Sequence, residues 1–325
     1  MSNQRVSGQS SSKPWLVTGG AGYIGGHVIT ALNEARIPWI LLDIDLKSAQ
    51  AKFSEREKFE NCDIRDVNSL EEVFSKYSFE GVIHLAALKS VEDSQLRQQE
   101  YFETNVIGTR NILDVMEEFG TTKIIFSSSA AVYQAGKGTA LVDESSPLGP
   151  VSYYGQTKVE AEEAIQHQSH KSNVDSIVFR YFNVAGALDS TLKDKSKQNL
   201  IPITINKLKS KLPPEIFGND YETSDGTAIR DYVDVRDIAN AHLKAIAYFS
   251  VNSKSHILNI GTGKGASVSE VIGLTQEIMG TSISPSVKNR RPGDISAIAA
   301  DCKKAQEVIG FNSNYSLREM IETSI

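Results

Sequence analysis

The chain has 325 residues, with 34 Lys and Arg against 40 Asp and Glu, a formal charge of −6. That length suits two domains, or one large domain with an appended lobe, and 40% hydrophobic and 23% charged residues suit an ordinary globular protein rather than a disordered or fibrous one. The acidic balance argues against a non-specific nucleic-acid binder and a polybasic membrane anchor, both of which need a basic face.

The first thirteen residues are rich in Ser, Gln and Asn and have no apolar core, so they are expected to be a disordered tail and not a secretory signal. From residue 14 short apolar runs alternate with longer amphipathic ones. Residues 15–18 predict a strand, 22–34 a helix, 38–43 a second strand, 59–62 a weaker third and 81–85 a fourth. Residues 101–119 place Phe102, Val106, Ile112, Val115, Met116 and Phe119 at helical spacing. A fifth strand is expected at 123–128, a helix at 153–167 and a sixth strand at 174–180. Strands separated by helices imply right-handed crossovers and a doubly wound parallel sheet of the Rossmann type.

After Phe182 a Lys-rich run at 190–199 interrupts, followed by a helix near 202–211, a turn at Pro213-Pro214 and shorter elements. The reading is a dinucleotide-binding domain over 14–182 and a smaller α/β substrate lobe over 183–325. The strand-like runs at 230–233 and 256–260 are expected to return to the main domain. No stretch approaches the ~20 apolar residues of a membrane span, so a cytoplasmic protein is expected. Two cysteines, Cys62 and Cys302, cannot build a disulfide framework or a Cys-based metal site. They are read as free thiols. The histidines show no metal-binding spacing, and His167 and His170 are read as solvated; no metal is expected.

Residues 18–25 read Thr-Gly-Gly-Ala-Gly-Tyr-Ile-Gly, directly between the first strand and the first helix. Gly19 allows the tight turn, Gly22 lets the backbone approach a pyrophosphate, and Gly25 lets the helix pack close to the strand. The helix N-terminus then offers free N–H groups to the phosphates. Asp43 closes the second strand eighteen residues past Gly25. Its carboxylate suits both ribose hydroxyls of adenosine and would repel a 2′-phosphate, which favours NAD over NADP. Asp63 and Ile64 are placed to border the adenine.

Tyr154-Gly-Gln-Thr-Lys158 puts a phenol and an ammonium four apart on one helix face. Ser127-Ser-Ser129 ends the fifth strand, at the edge where open α/β sheets bind ligands. Together they supply the acid–base that hydride transfer needs. A free tyrosine, with a pKa of about 10, is a poor base at neutral pH; Lys158 and a positive nicotinamide would bring it toward working pH. Ser129 would hold the reacting hydroxyl.

The glycine-rich loop, Ser129 and Tyr154-x-x-x-Lys158 resemble the extended short-chain dehydrogenase/reductase superfamily. The runs at 18–25, 84–89 (His-Leu-Ala-Ala-Leu-Lys), 127–133 and 180–183 (Arg-Tyr-Phe-Asn) narrow the resemblance to the UDP-glucose 4-epimerase family. The most specific match is Phe-Gly-Asn-Asp-Tyr-Glu-Thr-Ser-Asp-Gly-Thr-Ala-Ile-Arg-Asp-Tyr at 217–232. It extends from about Trp15 to the C-terminus. The resemblance implies a redox-neutral cycle with retained NAD: C4 oxidation, rotation of the 4-keto sugar, and re-reduction on the opposite face. By position it implies cofactor contacts at Tyr23, Ile24, Asp43, Asp63, Ile64, Leu85, Ala86, Ala87, Lys89, Asn105, Ser127, Tyr154, Lys158 and Phe182. It implies UDP-sugar contacts at Lys89, Ser129, Tyr154, Asn183, Asn199, Leu200, Phe217, Arg230, Arg291, Asp294 and Ile298, and a homodimer.

The chain departs from the family pattern in places. Ile44 stands where Asn is frequent, Gly26 where Ser is frequent and Ala87 where Gly is frequent. Ile298 occupies a wall position of the sugar pocket that can hold Tyr, which leads to the expectation that UDP-N-acetyl sugars are accepted. A 4,6-dehydratase would need an acid–base pair beside the serine, and Ala130 and Ala131 carry no proton. An epimerase for UDP-glucuronate would need a positive partner for the carboxylate, which no residue identifies. A silent NAD-binding sensor would have lost Ser, Tyr or Lys, and all three are present.

Overall fold

The structure is a computed structural model and describes residues 13–55, 58–134, 141–291 and 294–325. The expected tail, Lys13 excepted, lies outside them. The first half alternates as expected: β1 (Trp15–Thr18), α1 (Tyr23–Glu34), β2 (Trp39–Asp43), α2 (Leu46–Gln50), β3 (Phe59–Asn61), α3 (Val67–Lys76) and β4 (Gly81–His84). Then come α4 (Val91–Leu96), α5 (Gln98–Phe102), α6 (Gly108–Glu118), β5 (Lys123–Ser129), β6 (Leu141–Val142), α7 (Tyr153–Ser172) and β7 (Asp175–Tyr181). The second half carries β8 (Asn183–Ala185), α8 (Leu200–Lys209), β9 (Glu215–Phe217), β10 (Ile229–Asp234), α9 (Val235–Phe249) and β11 (His256–Ile260). It ends with β12 (Gly265–Ser267), α10 (Val268–Ile278), β13 (Ser286–Lys288), β14 (Ala297–Ala300), α11 (Lys303–Ile309) and α12 (Leu317–Ser324).

Among the described residues, seven parallel strands form the main sheet in the order β11-β7-β5-β4-β1-β2-β3. Its central strands are apolar on both faces because helices cover both. One core unites Val17, Leu41, Ile83, Ile125 and Phe179 with α1 and α9. The other unites Leu16, Leu42, Val82, Ile124 and Val178 with α3, α6 and α7. The strand order reverses between β1 and β4, which opens a crevice beyond their C-terminal ends, where ligands bind in such sheets.

The second sheet runs β12-β10-β14-β6, with β8 also paired to β10. This corrects one expectation and supports another. The run at 230–233 does not return to the main sheet: β10 is central in the second one, where Asp231 accepts the backbone amides of Thr262, Gly263 and Ala300. The run at 256–260 does return, as edge strand β11 beside β7.

The helix expected over 101–119 begins at Gln98 and is interrupted by a π turn, Glu103–Ile107. α7 runs on to Ser172 because Gln168, Lys171 and Ser172 all bond Glu117 on α6. Asn173, at φ 57°, then ends it in the left-handed conformation. α2, α3 and α4 were not foreseen. Each starts at a side-chain cap, Asp45, Asp66 and Ser90 respectively.

Candidate active site

The glycine-rich loop follows β1 at the crevice. Gly19 has φ +70°, and a Cβ there would lie 2.6 Å from the amide nitrogen of Ala86, in the loop after β4. Only glycine lets these two loops approach. A Cβ on Gly25 would collide with the backbone of Gly19 and Gly20, so this residue sets the contact of α1 with β1. The Asp43 carboxylate sits across the loop and accepts the amides of Ala21 (3.0 Å) and Asp45 (2.9 Å).

A cavity of about 430 Å³ opens here. It is lined by Gly19, Gly22, Tyr23, Ile24, Gly25, Asp43, Asp63, Ile64, Leu85, Ala86, Ala87, Lys89 and Ser127 from the expected cofactor set. Leu42, Asp45, Cys62 and Thr104 also line it and were not foreseen. Burial pushes the Cys62 thiol up to about 12, which makes it an inert wall; both cysteines are free. His167 and His170 are exposed, as read. Among the described residues no His, Cys, Asp or Glu cluster could hold a metal, and no helix is long and apolar enough to cross a membrane.

Asn105 does not line the cavity. It is buried in the π turn and bonds the loop after β4: Leu88 N donates to its Oδ1 (2.8 Å), and its Nδ2 donates to Leu88 O (2.9 Å) and Thr157 Oγ1 (3.0 Å). Thr157 in turn donates to Tyr154 O. His84 ties the same region to β1. The Thr109 hydroxyl donates to Asn105 O, so His84 Nε2–H donates to Thr109 Oγ1 (3.0 Å) and His84 Nδ1 accepts from Thr18 Oγ1 (2.7 Å). Burial holds this imidazole neutral, at about 3.

Ser129 ends β5, and its Oγ accepts from Ala131 N, capping the short turn Ala130–Val132. Tyr154 lies in the first turn of α7, its N–H held by Ser94 Oγ and the helix capped by Ser152. Burial pushes the Tyr154 phenol up to about 12, and the nearby Ser129 hydroxyl pulls against that. One turn on, Lys158 Nζ donates to Ser127 O (2.8 Å) and lies 6.0 Å from the Tyr154 ring. Burial lowers this ammonium to about 7, opposed by the charge of Glu162. Glu162 is itself 1% exposed and held by Ser128 Oγ and by Arg180, at 3.0 Å from Nε and 2.6 Å from Nη2.

On the second lobe, Asn183, Asn199 and Leu200 line a small separate cavity with Tyr232. Arg230 pairs with Asp294. The Arg291 guanidinium lies 4.1 Å over the Phe217 ring. Phe182 and Ile298 are buried together with Val132 and Tyr133.

A doubly wound sheet with a glycine-rich loop at its switch point, and Ser, Tyr and Lys together at the same edge, defines a dinucleotide-dependent enzyme of the short-chain type. The model of the NAD dependent epimerase/dehydratase family matches residues 15–261, and the chain belongs to that family. It is 39% identical over 313 residues to a UDP-glucose 4-epimerase of Halalkalibacterium halodurans, covering 94% of this chain and 93% of the relative. Among solved structures it is similar to the UDP-glucose-4-epimerase of Stenotrophomonas maltophila with bound NAD and formylated UDP-arabinopyranose (31% identity, TM-score 0.90, 96% of each chain). It is likewise similar to the UDP-glucose 4-epimerase of Bifidobacterium longum in complex with NAD+ and UDP (33% identity, TM-score 0.87, 96% of each chain).

Proposed function

We propose that this protein is a UDP-glucose 4-epimerase that interconverts UDP-glucose and UDP-galactose with a retained NAD. The observation that carries the reading is the grouping of Ser129, Tyr154 and Lys158 beside the glycine-loop cavity, with the protonless Ala130 and Ala131 following the serine. The cavity fits the cofactor: Gly19 and Gly25 leave backbone where a Cβ would collide, and Asp43 closes the end suited to an adenosine ribose.

Bound NAD supplies the acceptor and donor of the sugar's C4 hydride. Tyr154 Oη takes the proton from the 4-hydroxyl and later returns it. At about 12 the phenol is not a base at neutral pH; the positive ring of a bound cofactor would lower it, with Lys158 Nζ 6.0 Å from the Tyr154 ring to support the phenolate. Ser129 Oγ holds the reacting oxygen. Arg230 and Arg291, with Asn183, Asn199, Leu200, Phe217 and Asp294, hold the UDP moiety, guanidinium groups being suited to a diphosphate. The segment after 183 then serves as the UDP-sugar lobe. Ile298 in place of a bulkier wall residue extends the substrates to UDP-N-acetyl sugars. The protein is further proposed to act in the cytoplasm as a homodimer formed through α6 and α7.

The test is to incubate the purified protein with UDP-galactose, no cofactor added, and separate products by NMR or chromatography. Appearance of UDP-glucose, at one equilibrium ratio from either side, is the expected result. Tyr154→Phe should keep the fold and lose at least about 10²-fold in turnover; a sensor would be indifferent to it. UDP-GlcNAc in the same assay should also turn over, and no conversion beside good conversion of UDP-glucose overturns the N-acetyl extension.

A further inference from the structure

The first turn of a helix carries N–H groups that have no partner within the helix. In α7 the cap Ser152 takes one of them, the amide of Gly155 (3.0 Å). The amide of Tyr154 goes elsewhere, to Ser94 Oγ on α4, 60 residues earlier in the chain (3.0 Å). Ser94 is 0% exposed, and its hydroxyl proton is given to Val91 O (2.6 Å). A serine oxygen that donates its one proton keeps its lone pairs for acceptance, so Ser94 meets Tyr154 as an acceptor of that N–H.

The helix that carries Ser94 is itself fastened. Ser90 caps α4 by accepting the amide of Asp93 (3.0 Å). The Ser90 amide donates to Tyr101 Oη (3.0 Å), and that hydroxyl donates back to Ser90 O (2.8 Å). The start of α7 has two further fixed points, both toward β5. A Cβ on Gly155 would collide with Ala131 O, so this glycine lets α7 press on the short turn that Ser129 caps. One turn on, Lys158 Nζ bonds Ser127 O. The Ser94 bond is the third point. It comes from a different element and ends on the residue that bears the phenol.

We propose that Ser94 is a positioning residue for the reaction: its hydroxyl, braced by α4, sets the stance of Tyr154 so that the phenol meets the sugar's 4-hydroxyl beside Ser129. The proposal rests on the epimerase reading above. Ser94 acts through Tyr154 and not on the substrate. Proton transfer needs the phenol within hydrogen-bond reach of the reacting hydroxyl, so a small shift of the Tyr154 backbone slows the chemistry and leaves the binding of either ligand alone. A hydroxyl that only joined α4 to α7 would add stability and leave turnover unchanged.

Steady-state kinetics of Ser94→Ala with UDP-galactose, beside NADH titration of the nucleotide-freed full-length protein, test it. Ser94→Ala should lower kcat about ten- to hundredfold. KM should stay within about twofold, and NADH should still fill one site per chain with unchanged affinity. Ser94→Cys is near in size and keeps a weak acceptor; its kcat should fall between the two, and it carries the test if the alanine variant does not fold. A kcat within about twofold of the unaltered protein, whatever the change in Tm, overturns the proposal. So does a loss of NADH sites in proportion to the loss of kcat, because the hydroxyl then only keeps the chain folded. Failure of the unaltered protein to turn over UDP-galactose overturns the epimerase reading itself, and this proposal with it.

Discussion

Lys158 shows how burial of one side chain couples chemistry to stability. Its pKa is lowered to about 7 by burial, so the unfolded chain holds this proton more tightly from about pH 7 up to the ordinary lysine range. Unfolding takes up a proton throughout that window, and stability rises with pH across it. Lys158→Met should therefore raise the Tm of the nucleotide-free protein at pH 7, narrow that gain by pH 10, and lose epimerase turnover at least about 10²-fold. Thermal melts at several pH values, paired with the UDP-galactose assay, check both halves; a lower Tm at pH 7 would refute the account. The pairing of Tyr154 with Lys158 was legible because four residues make one helical turn. The value near 7 was not, because it comes from walls that the fold supplies.

At the scale of elements, the loop after β4 is held by a residue from a different helix. The Asn105 amide spends both N–H groups and its oxygen on Leu88 and Thr157, and so joins the Leu85-to-Lys89 loop to the turn that carries Tyr154. Asn105→Ala removes the partner of the half-buried amide and carbonyl of Leu88, which should cost about 1–3 kcal/mol in denaturant unfolding. It should also weaken NADH binding although Asn105 does not line the cavity. A loss under 1 kcal/mol would show that the loop is held by other contacts. Sequence spacing located the helix that bears Asn105. It did not show the π turn, a one-residue insertion inside an otherwise continuous helical run. The short α2 and α4 carried too few residues for a period to show, although their caps were present in the sequence.

At the scale of the whole molecule, buried polar side chains join the two sheets. Arg180, 2% exposed, bonds Glu162, Tyr133 and the carbonyl of Glu144. Tyr133 donates to Asn259 on β11, and Asn259 bonds the carbonyls of Val142 on β6 and Asp301 beyond β14. Glu162→Gln strips the charge that balances Arg180 and should cost about 3–5 kcal/mol, whereas Glu162→Leu combined with Arg180→Met should recover most of it. Chemical denaturation of the single and double variants decides this; equal losses in both would mean that the pair is not what holds this region. The network explains why no linear boundary divides the chain. β6 precedes 183 yet belongs to the second sheet, and β11 follows it yet completes the first.

The sequence by itself determined the doubly wound sheet, the glycine-rich loop with Asp43, and the grouping of Ser129, Tyr154 and Lys158. These rest on local periods and short spacings, which one stretch of chain can express. Only the tertiary structure decided that β10 is central in the second sheet and that Asn105 bonds a loop instead of lining the cavity. Those depend on contacts between segments far apart in the chain. Their partners are chosen by burial and hydrogen-bond satisfaction once the elements have packed, and no local pattern records that choice.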